Sequence, residues 1–152
     1  MVDDLPDEVD AELVADARLR SGVLACIAIG GAAGALARYA MSRVLPVAPG
    51  TFPRATFVTN MSGAFVLGCF LTLMRRREWS SRYVRPLVAV GFLGTFTTFS
   101  TMAVETVTLV KEGDAGTGVF YLAVSVATGL AVCALWVLVG RNAARPRAAE
   151  SA

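Results

Sequence analysis

The chain has 152 residues, of which 55% are hydrophobic and 17% are charged, and its mean hydropathy is +0.60. Soluble domains carry about 45–50% apolar and about 25% charged residues, so this composition excludes an ordinary soluble enzyme. Three cysteines without a single histidine argue against a disulfide scaffold, zinc chemistry and a Ser-His-Asp mechanism. We interpret Cys26, Cys69 and Cys133 as small packing residues.

The net charge of +2 conceals two oppositely charged parts. Residues 1–16 hold seven acids and no base, whereas the remainder holds all 14 bases and five acids. We predict that residues 1–20 form an acidic tail, disordered or loosely helical, because such charge density disfavours a packed core. The tail lacks the basic and apolar regions of a signal peptide. Residues 141–152 form a short basic tail at the other end.

Four apolar segments follow the acidic tail in chain order. A helix needs about 20 apolar residues to cross the hydrocarbon core of a bilayer, which is about 30 Å thick. We predict transmembrane spans at about 21–40, 55–74, 87–110 and 119–140. The fold class is therefore an all-α integral membrane protein, with four transmembrane helices in one unit covering residues 21–140.

The first span carries two small residues on one face, Gly30 and Gly34. Small residues at a spacing of four let helix backbones approach closely in lipid. This face predicts either a contact between subunits or packing within one chain, and the sequence leaves both open. Arg38 marks the end of the span, where a long cationic side chain reaches the interface.

The second and fourth spans carry uncharged polar residues on single faces. Thr56 and Asn60 lie one turn apart, and Tyr121, Ser125 and Thr128 follow a helical spacing. Such donors suit a small anion, because they replace part of its hydration shell without the deep trap of a Lys or Arg. For each residue taken alone, hydrogen bonding between helices is the alternative.

The third span contains an unusual string at residues 91–102, with two glycines and five hydroxyl residues. Glycine and β-branched threonine weaken a helix, and a break is tolerated only where the backbone is buried or lines a cavity. We predict a break in mid-membrane, where carbonyls near Gly94 and Thr97 could coordinate a hard cation. A continuous helix whose hydroxyls bond to the preceding turn is the alternative.

Two further residues of the third span are candidates for function. The ring of Phe99 has a positive edge that can face an anion, although simple packing also explains it. Glu105 is the only acid in the predicted spans, and an intramembrane carboxylate is a functional candidate. Its position near the end of the span leaves an interfacial location open.

The distribution of Lys and Arg predicts the orientation. Four spans place both termini and the second loop on one side, where ten basic residues lie, against four on the other. The positive-inside rule then puts both termini in the cytoplasm.

These motifs closely resemble those of the Fluc (CrcB) fluoride channels. The string at residues 91–102, followed by Glu105, resembles the signature of their third helix. Residues 30–35 with Arg38 resemble their first-helix motif, and residues 56–60 with Gly63 resemble the second. The resemblance covers about residues 22–140 and leaves out the acidic tail.

The resemblance implies a channel of the cell membrane, not an enzyme. Subunits of this family assemble as antiparallel, dual-topology dimers with two fluoride pathways and a central structural sodium ion, and they export fluoride passively. Here the carbonyls of Gly94 and Thr97 would hold the sodium, and Arg38, Glu105, Gly30 and Gly34 would be structural. The fluoride pathway would comprise Asn60, Phe99, Met102, Thr56, Thr98, Ser100, Tyr121 and Ser125. Met102 stands where the family has a second phenylalanine. Because methionine has no ring edge, this difference would alter or close one pathway.

The expected partners are fluoride, the lipid bilayer and a second subunit, with no nucleic acid. The ten-to-four charge bias favours one direction of insertion, and hence a related partner of opposite bias. A homodimer is the alternative if the arginines serve structure rather than topology. Two rival functions are a proton-coupled antiporter of the small multidrug resistance kind and a non-conducting assembly subunit.

Overall fold

The computed structural model describes residues 7–76 and 82–143, and this part of the chain is helical without any strand. The elements in chain order are α1 (Asp7–Val44), α2 (Arg54–Arg76), a π-helix (Pro86–Leu93), α3 (Gly94–Phe96), α4 (Phe99–Lys111) and α5 (Ala115–Ala143). The connection between α1 and α2 follows from its prolines, which cannot donate to a helix ladder.

Four segments are long and apolar enough to cross a membrane. They are Leu19–Val44, Arg54–Met74, Pro86–Lys111 and Ala115–Trp136. The third segment comprises the π-helix, α3 and α4. These segments match the four predicted spans to within a few residues and confirm an all-helical, multi-pass membrane protein.

The described part of the acidic tail is helical. Residues 7–18 continue directly into the first span, so that α1 is a single helix of 38 residues. At about 1.5 Å per residue, these 12 residues extend α1 by about 18 Å beyond its apolar segment. Residues 1–6 and 144–152 lie outside the described residues.

The small-residue face of α1 packs against the third segment of its own chain. A Cβ atom at Gly30 would overlap the carbonyl oxygen of Leu87, and one at Gly34 would overlap that of Phe92. Gly91 meets α1 from the opposite direction, because its Cβ would come within 2.7 Å of the Ile27 carbonyl oxygen. Of the two predicted roles for Gly30 and Gly34, the structure therefore shows packing within one chain.

The third segment changes conformation along its length. The π-helix leads into the single turn α3, after which Thr97 (φ −75°, ψ 155°) and Thr98 (φ −150°, ψ 119°) are extended. α4 then begins at Phe99. The helix is interrupted for two residues inside the hydroxyl-rich string.

The described side chains bury little of their own apolar surface. Tyr121 is fully buried, and Leu93, Met102 and Leu109 are nearly so. Many other large apolar side chains point outward, including Leu36 and Leu130. Outward-facing apolar side chains are expected where lipid or another subunit, rather than water, surrounds the helices.

The crossing of α1 and the third segment predicts a strong effect of a single methyl group at Gly34. We expect Gly34→Ala to lower the free energy of unfolding by about 1–3 kcal/mol, because the new Cβ meets a backbone carbonyl and the Thr95 hydroxyl. Gly116→Ala on α5 is the matched control, since its Cβ would meet no described atom within 4 Å. Melting temperatures in detergent measure both, and equal values would contradict the close crossing.

Candidate functional site

The interruption between α3 and α4 is bridged by a side chain from α2. The Asn60 carboxamide donates from Nδ2 to the Thr98 carbonyl oxygen at 2.9 Å. Its Oδ1 accepts a hydrogen bond from the Thr98 backbone N–H at 2.8 Å. A single side chain therefore pairs with both backbone polar groups of one residue, as a neighbouring strand would.

Thr98 itself caps the helix that follows. Its Oγ1 accepts a hydrogen bond from the Thr101 backbone N–H at 3.1 Å and donates one to Thr101 Oγ1 at 2.9 Å. Ser100 Oγ lies 3.2 Å from the same hydroxyl. Threonine with extended backbone is a preferred residue at this position, because its oxygen satisfies an N–H that the first turn leaves unpaired.

Together these two arrangements change the surroundings of two carbonyl groups. In a continuous helix the Gly94 carbonyl would accept from the Thr98 N–H, and the Thr97 carbonyl from the Thr101 N–H. Both N–H groups instead bond to side-chain oxygens, of Asn60 and Thr98 respectively. Gly94 is also exposed, and its Cβ would meet only the Ala89 carbonyl among the described atoms within 4 Å. The two carbonyls predicted to bind a cation have thus lost their ordinary donors.

The free carbonyl oxygens at the interruption are groups that suit a hard cation. Carbonyl oxygens can replace the hydration shell of an alkali metal ion. Within residues 7–76 and 82–143, no group of three His, Cys, Asp or Glu could hold a metal ion. The carbonyl oxygens of Gly94 and Thr97 are groups of this kind and could hold such an ion.

A second polar cluster joins three helices around Glu105. Thr56 on α2 donates to Glu105 Oε1 at 2.7 Å, and Tyr121 on α5 donates to Oε2 at 2.8 Å. Tyr121 and Thr56 are both buried. Both oxygens of this carboxylate therefore accept hydrogen bonds from hydroxyl groups of neighbouring helices.

Two cavities flank the interruption. The first has a volume of about 450 Å³ and is lined by Arg38, Thr56, Thr59, Thr98, Thr101 and Glu105, among others. The second, of about 460 Å³, is lined by Asn60, Gly94, Thr97, Thr98, Phe99, Met102 and Ser125, among others. Thr98, one of the two extended residues, borders both cavities.

The residues predicted for an anion pathway fall into different environments. Ser125 is 4% exposed, and its hydroxyl has no hydrogen-bond partner among the described residues. Met102 is 5% exposed and lines the second cavity beside it. Phe99 points outward with 72% of its surface exposed, and Ser100 is also exposed. Thr128 bonds to Val124 of its own helix, which is the role of an ordinary helical threonine.

Sequence reasoning missed two threonines of the first cavity, Thr59 and Thr101. Thr101 follows Thr98 at the spacing of an N-cap and its third helical residue, which is a recognisable signal. Thr59 is 2% exposed and adjoins Asn60 in sequence. Only the packing of α2 determines that it points into the first cavity.

Four apolar spans, an interrupted third segment and hydroxyl-lined cavities define a small polytopic membrane protein with polar interior surfaces. The family model described as "CrcB-like protein, Camphor Resistance (CrcB)" matches residues 25–137. The chain belongs to the CrcB family.

Curated relatives carry matching names. "Fluoride-specific ion channel FluC 3" of Streptomyces avermitilis is 47% identical over 83% of this chain, which spans 62% of that relative's length. "Fluoride-specific ion channel FluC 2" of Nocardia farcinica is 41% identical over 84% of the chain and 88% of its own length. "Fluoride-specific ion channel FluC 1" of Mycobacterium tuberculosis is 44% identical over 78% of the chain and 90% of its own length.

The cluster around Glu105 predicts that Tyr121→Phe destabilises the fold. Removing one hydroxyl leaves Glu105 Oε2 without its donor in a part-buried site, at a cost of about 1–3 kcal/mol. Tyr39→Phe removes the same group from an exposed side chain and should leave the melting temperature unchanged. If both variants melt at the temperature of the unmodified protein, the Tyr121–Glu105 bond does not stabilise the bundle.

Proposed function

We propose that this protein is a fluoride-selective channel that lets fluoride leave the cell passively and keeps its cytoplasmic concentration low. The observation that carries the proposal is membership of a family whose curated relatives, 41–47% identical, are named fluoride-specific ion channels. The protein acts as a channel and not as an enzyme.

The chemistry of the second cavity supports an anion as the permeating species. The buried Ser125 hydroxyl has a donor to offer, since no described residue accepts from it. The Asn60 amide nitrogen carries two N–H groups, of which one bonds to Thr98. Uncharged donors of this kind bind fluoride strongly enough to dehydrate it and weakly enough to release it. We assign Asn60 and Ser125 to the pathway on this ground, and Phe99 and Met102 because they line the same cavity.

The first cavity extends the proposed pathway with a different set of groups. We assign Thr56 and Thr98, which line this cavity, to the pathway. Tyr121 and Ser100 join them, because they bond to the lining residues Glu105 and Thr98 respectively. Thr56 and Tyr121 both donate to Glu105, so they offer a passing anion a donor only when that carboxylate exchanges partners. Arg38 and Glu105 both line the cavity and give it charges of opposite sign.

The functional unit that we propose is an antiparallel dimer with the interruption of the third helix in mid-membrane. The exposed ring of Phe99 and the exposed Gly94 support this arrangement, since a second subunit would cover both. Carbonyls of Gly94 and Thr97 would hold a structural sodium ion, which neutralises the partial negative charge that they present at the subunit contact. Both termini face the cytoplasm in this proposal, in the cell membrane, as the basic residues indicate.

Fluoride efflux from liposomes tests the proposed function. Vesicles loaded with potassium fluoride should release it when valinomycin carries the compensating potassium, without any proton gradient, while chloride is retained. We expect Phe99→Ala to slow this release at least about tenfold, which corresponds to about 1.4 kcal/mol of barrier height. Phe120→Ala is the matched control, because Phe120 is a similarly exposed phenylalanine at 62% and lines neither cavity.

Other outcomes of the efflux experiment decide between the rival functions. Release that requires a proton gradient would favour the antiporter, and a lack of release would favour an assembly subunit or a required partner. Equal release rates for Phe99→Ala and Phe120→Ala would remove the Phe99 ring from the pathway.

The charge bias predicts a single direction of insertion and a related partner of opposite bias. A cysteine introduced as Glu112→Cys lies in the exposed link between α4 and α5, on the side opposite both termini. We expect a membrane-impermeant maleimide to label nearly all of this variant from outside intact cells. Labelling of about half the molecules would instead indicate dual topology and a homodimer.

A further inference from the structure

The carboxamide of Asn60 serves a backbone position that lies beside the proposed cation ligands. Its two hydrogen bonds, of 2.9 Å and 2.8 Å, fix the Thr98 carbonyl and N–H at once. The two residues are 38 positions apart in sequence and belong to α2 and to the interrupted segment. Asn60 therefore couples a neighbouring helix to the interruption.

One N–H group has two possible acceptors at this point. If the helix continued, the Thr98 N–H would bond to the Gly94 carbonyl, four residues earlier. With Asn60 in place, the same N–H bonds to Oδ1 and leaves the Gly94 carbonyl without that donor. Asn60 and Gly94 thus compete for one proton donor, and the outcome decides whether the Gly94 oxygen can serve as a ligand.

The Thr97 carbonyl depends on the same arrangement one step further along. Its usual donor, the Thr101 N–H, is held by Thr98 Oγ1 while the Thr98 backbone is extended. Asn60 maintains this extended conformation by satisfying both polar groups of Thr98. Losing the carboxamide would remove the restraint on both carbonyls.

Few side chains can replace asparagine in this role. The carboxamide supplies an N–H donor and an oxygen acceptor on one planar group, whereas a carboxylate supplies acceptors only. An apolar side chain of similar size supplies neither, and it would leave buried backbone groups unpaired at considerable cost.

We infer that Asn60 is a positioning residue for the cation site: by holding the Thr98 peptide, it keeps the carbonyls of Gly94 and Thr97 available to sodium. The inference rests on the sodium-bridged dimer of the proposed function. It adds that a residue of the anion pathway also sets the affinity for the cation, since the same Asn60 lines the second cavity.

The test is the sodium dependence of thermal stability in the purified full chain. Melting temperatures are recorded while sodium replaces choline at constant ionic strength, which gives the sodium concentration for half of the stabilisation. We expect Asn60→Leu to raise this concentration at least about tenfold, the effect of losing about 1.4 kcal/mol of binding. Asn60→Ala removes the same two hydrogen bonds without adding bulk and should give the same shift. It takes the place of the leucine variant if that variant does not fold.

Two control variants separate this role from general destabilisation. Ser62→Ala changes a hydroxyl on the same helix that bonds only to the carbonyl of Thr59 nearby. Gly68→Ala introduces a Cβ that would overlap Trp136, far along α2 from the interruption, and should lower the melting temperature. Both variants should retain the sodium midpoint of the unmodified protein.

An unchanged sodium midpoint in Asn60→Leu and Asn60→Ala would overturn the inference while leaving the proposed function intact. If the unmodified protein conducts fluoride but gains no stability from sodium, the inference and the proposed sodium bridge are both overturned, while the channel function stands. Absence of fluoride release from the unmodified protein is the separate result that would count against the channel.

Discussion

The two hydrogen bonds between the Asn60 carboxamide and the Thr98 backbone are the interaction on which the architecture depends. In a bilayer no water pairs with a free N–H or C=O, so an interrupted helix survives only where protein groups replace the missing bonds. Asn60 supplies both bonds at Thr98, and the Thr98 hydroxyl then serves Thr101. Two short polar side chains thereby make an irregular backbone compatible with an apolar surrounding.

The same side of α2 makes a second polar contact one turn away. Thr56 bonds to Glu105 on α4, and Asn60 bonds to Thr98 just before α4. α2 is thus attached at two points to the segment that follows the interruption, while the segment that precedes it packs against α1 through Gly30, Gly34 and Gly91. α2 contacts both halves of the third span, but the first half packs mainly against α1 and the second mainly against α5, with the extended residues between them.

The sequence was sufficient for features that depend on local composition. The four spans follow from apolar length, and the hydroxyl-rich string contains the two extended residues Thr97 and Thr98. The face of Gly30 and Gly34 could also be predicted, but its partner could not, because periodicity does not tell which helix a face meets. In the structure, the partner of this face is the third segment of the same chain.

Hydrogen-bond partners show the same limit of sequence reasoning. Thr56 and Tyr121 were expected to offer donors to an anion, whereas both donate to Glu105. Asn60 has the two N–H donors expected of it, but one of them bonds to the Thr98 carbonyl oxygen. Residue type fixes what a side chain can bond to, and only the packing of α2, α4 and α5 determines what it does bond to.

If the carbonyls of Gly94 and Thr97 hold the proposed sodium ion, the use of main-chain ligands has one consequence for variation among related proteins. Every residue has a main-chain oxygen, so no substitution at either position deletes a ligand atom in the way that replacing an aspartate would. Cation affinity at such a site can drift only through residues that shape the backbone, such as Asn60 and Thr98, or that crowd the exposed face of Gly94. Tolerance to mutation at the ligands themselves is then no sign that the ion is dispensable.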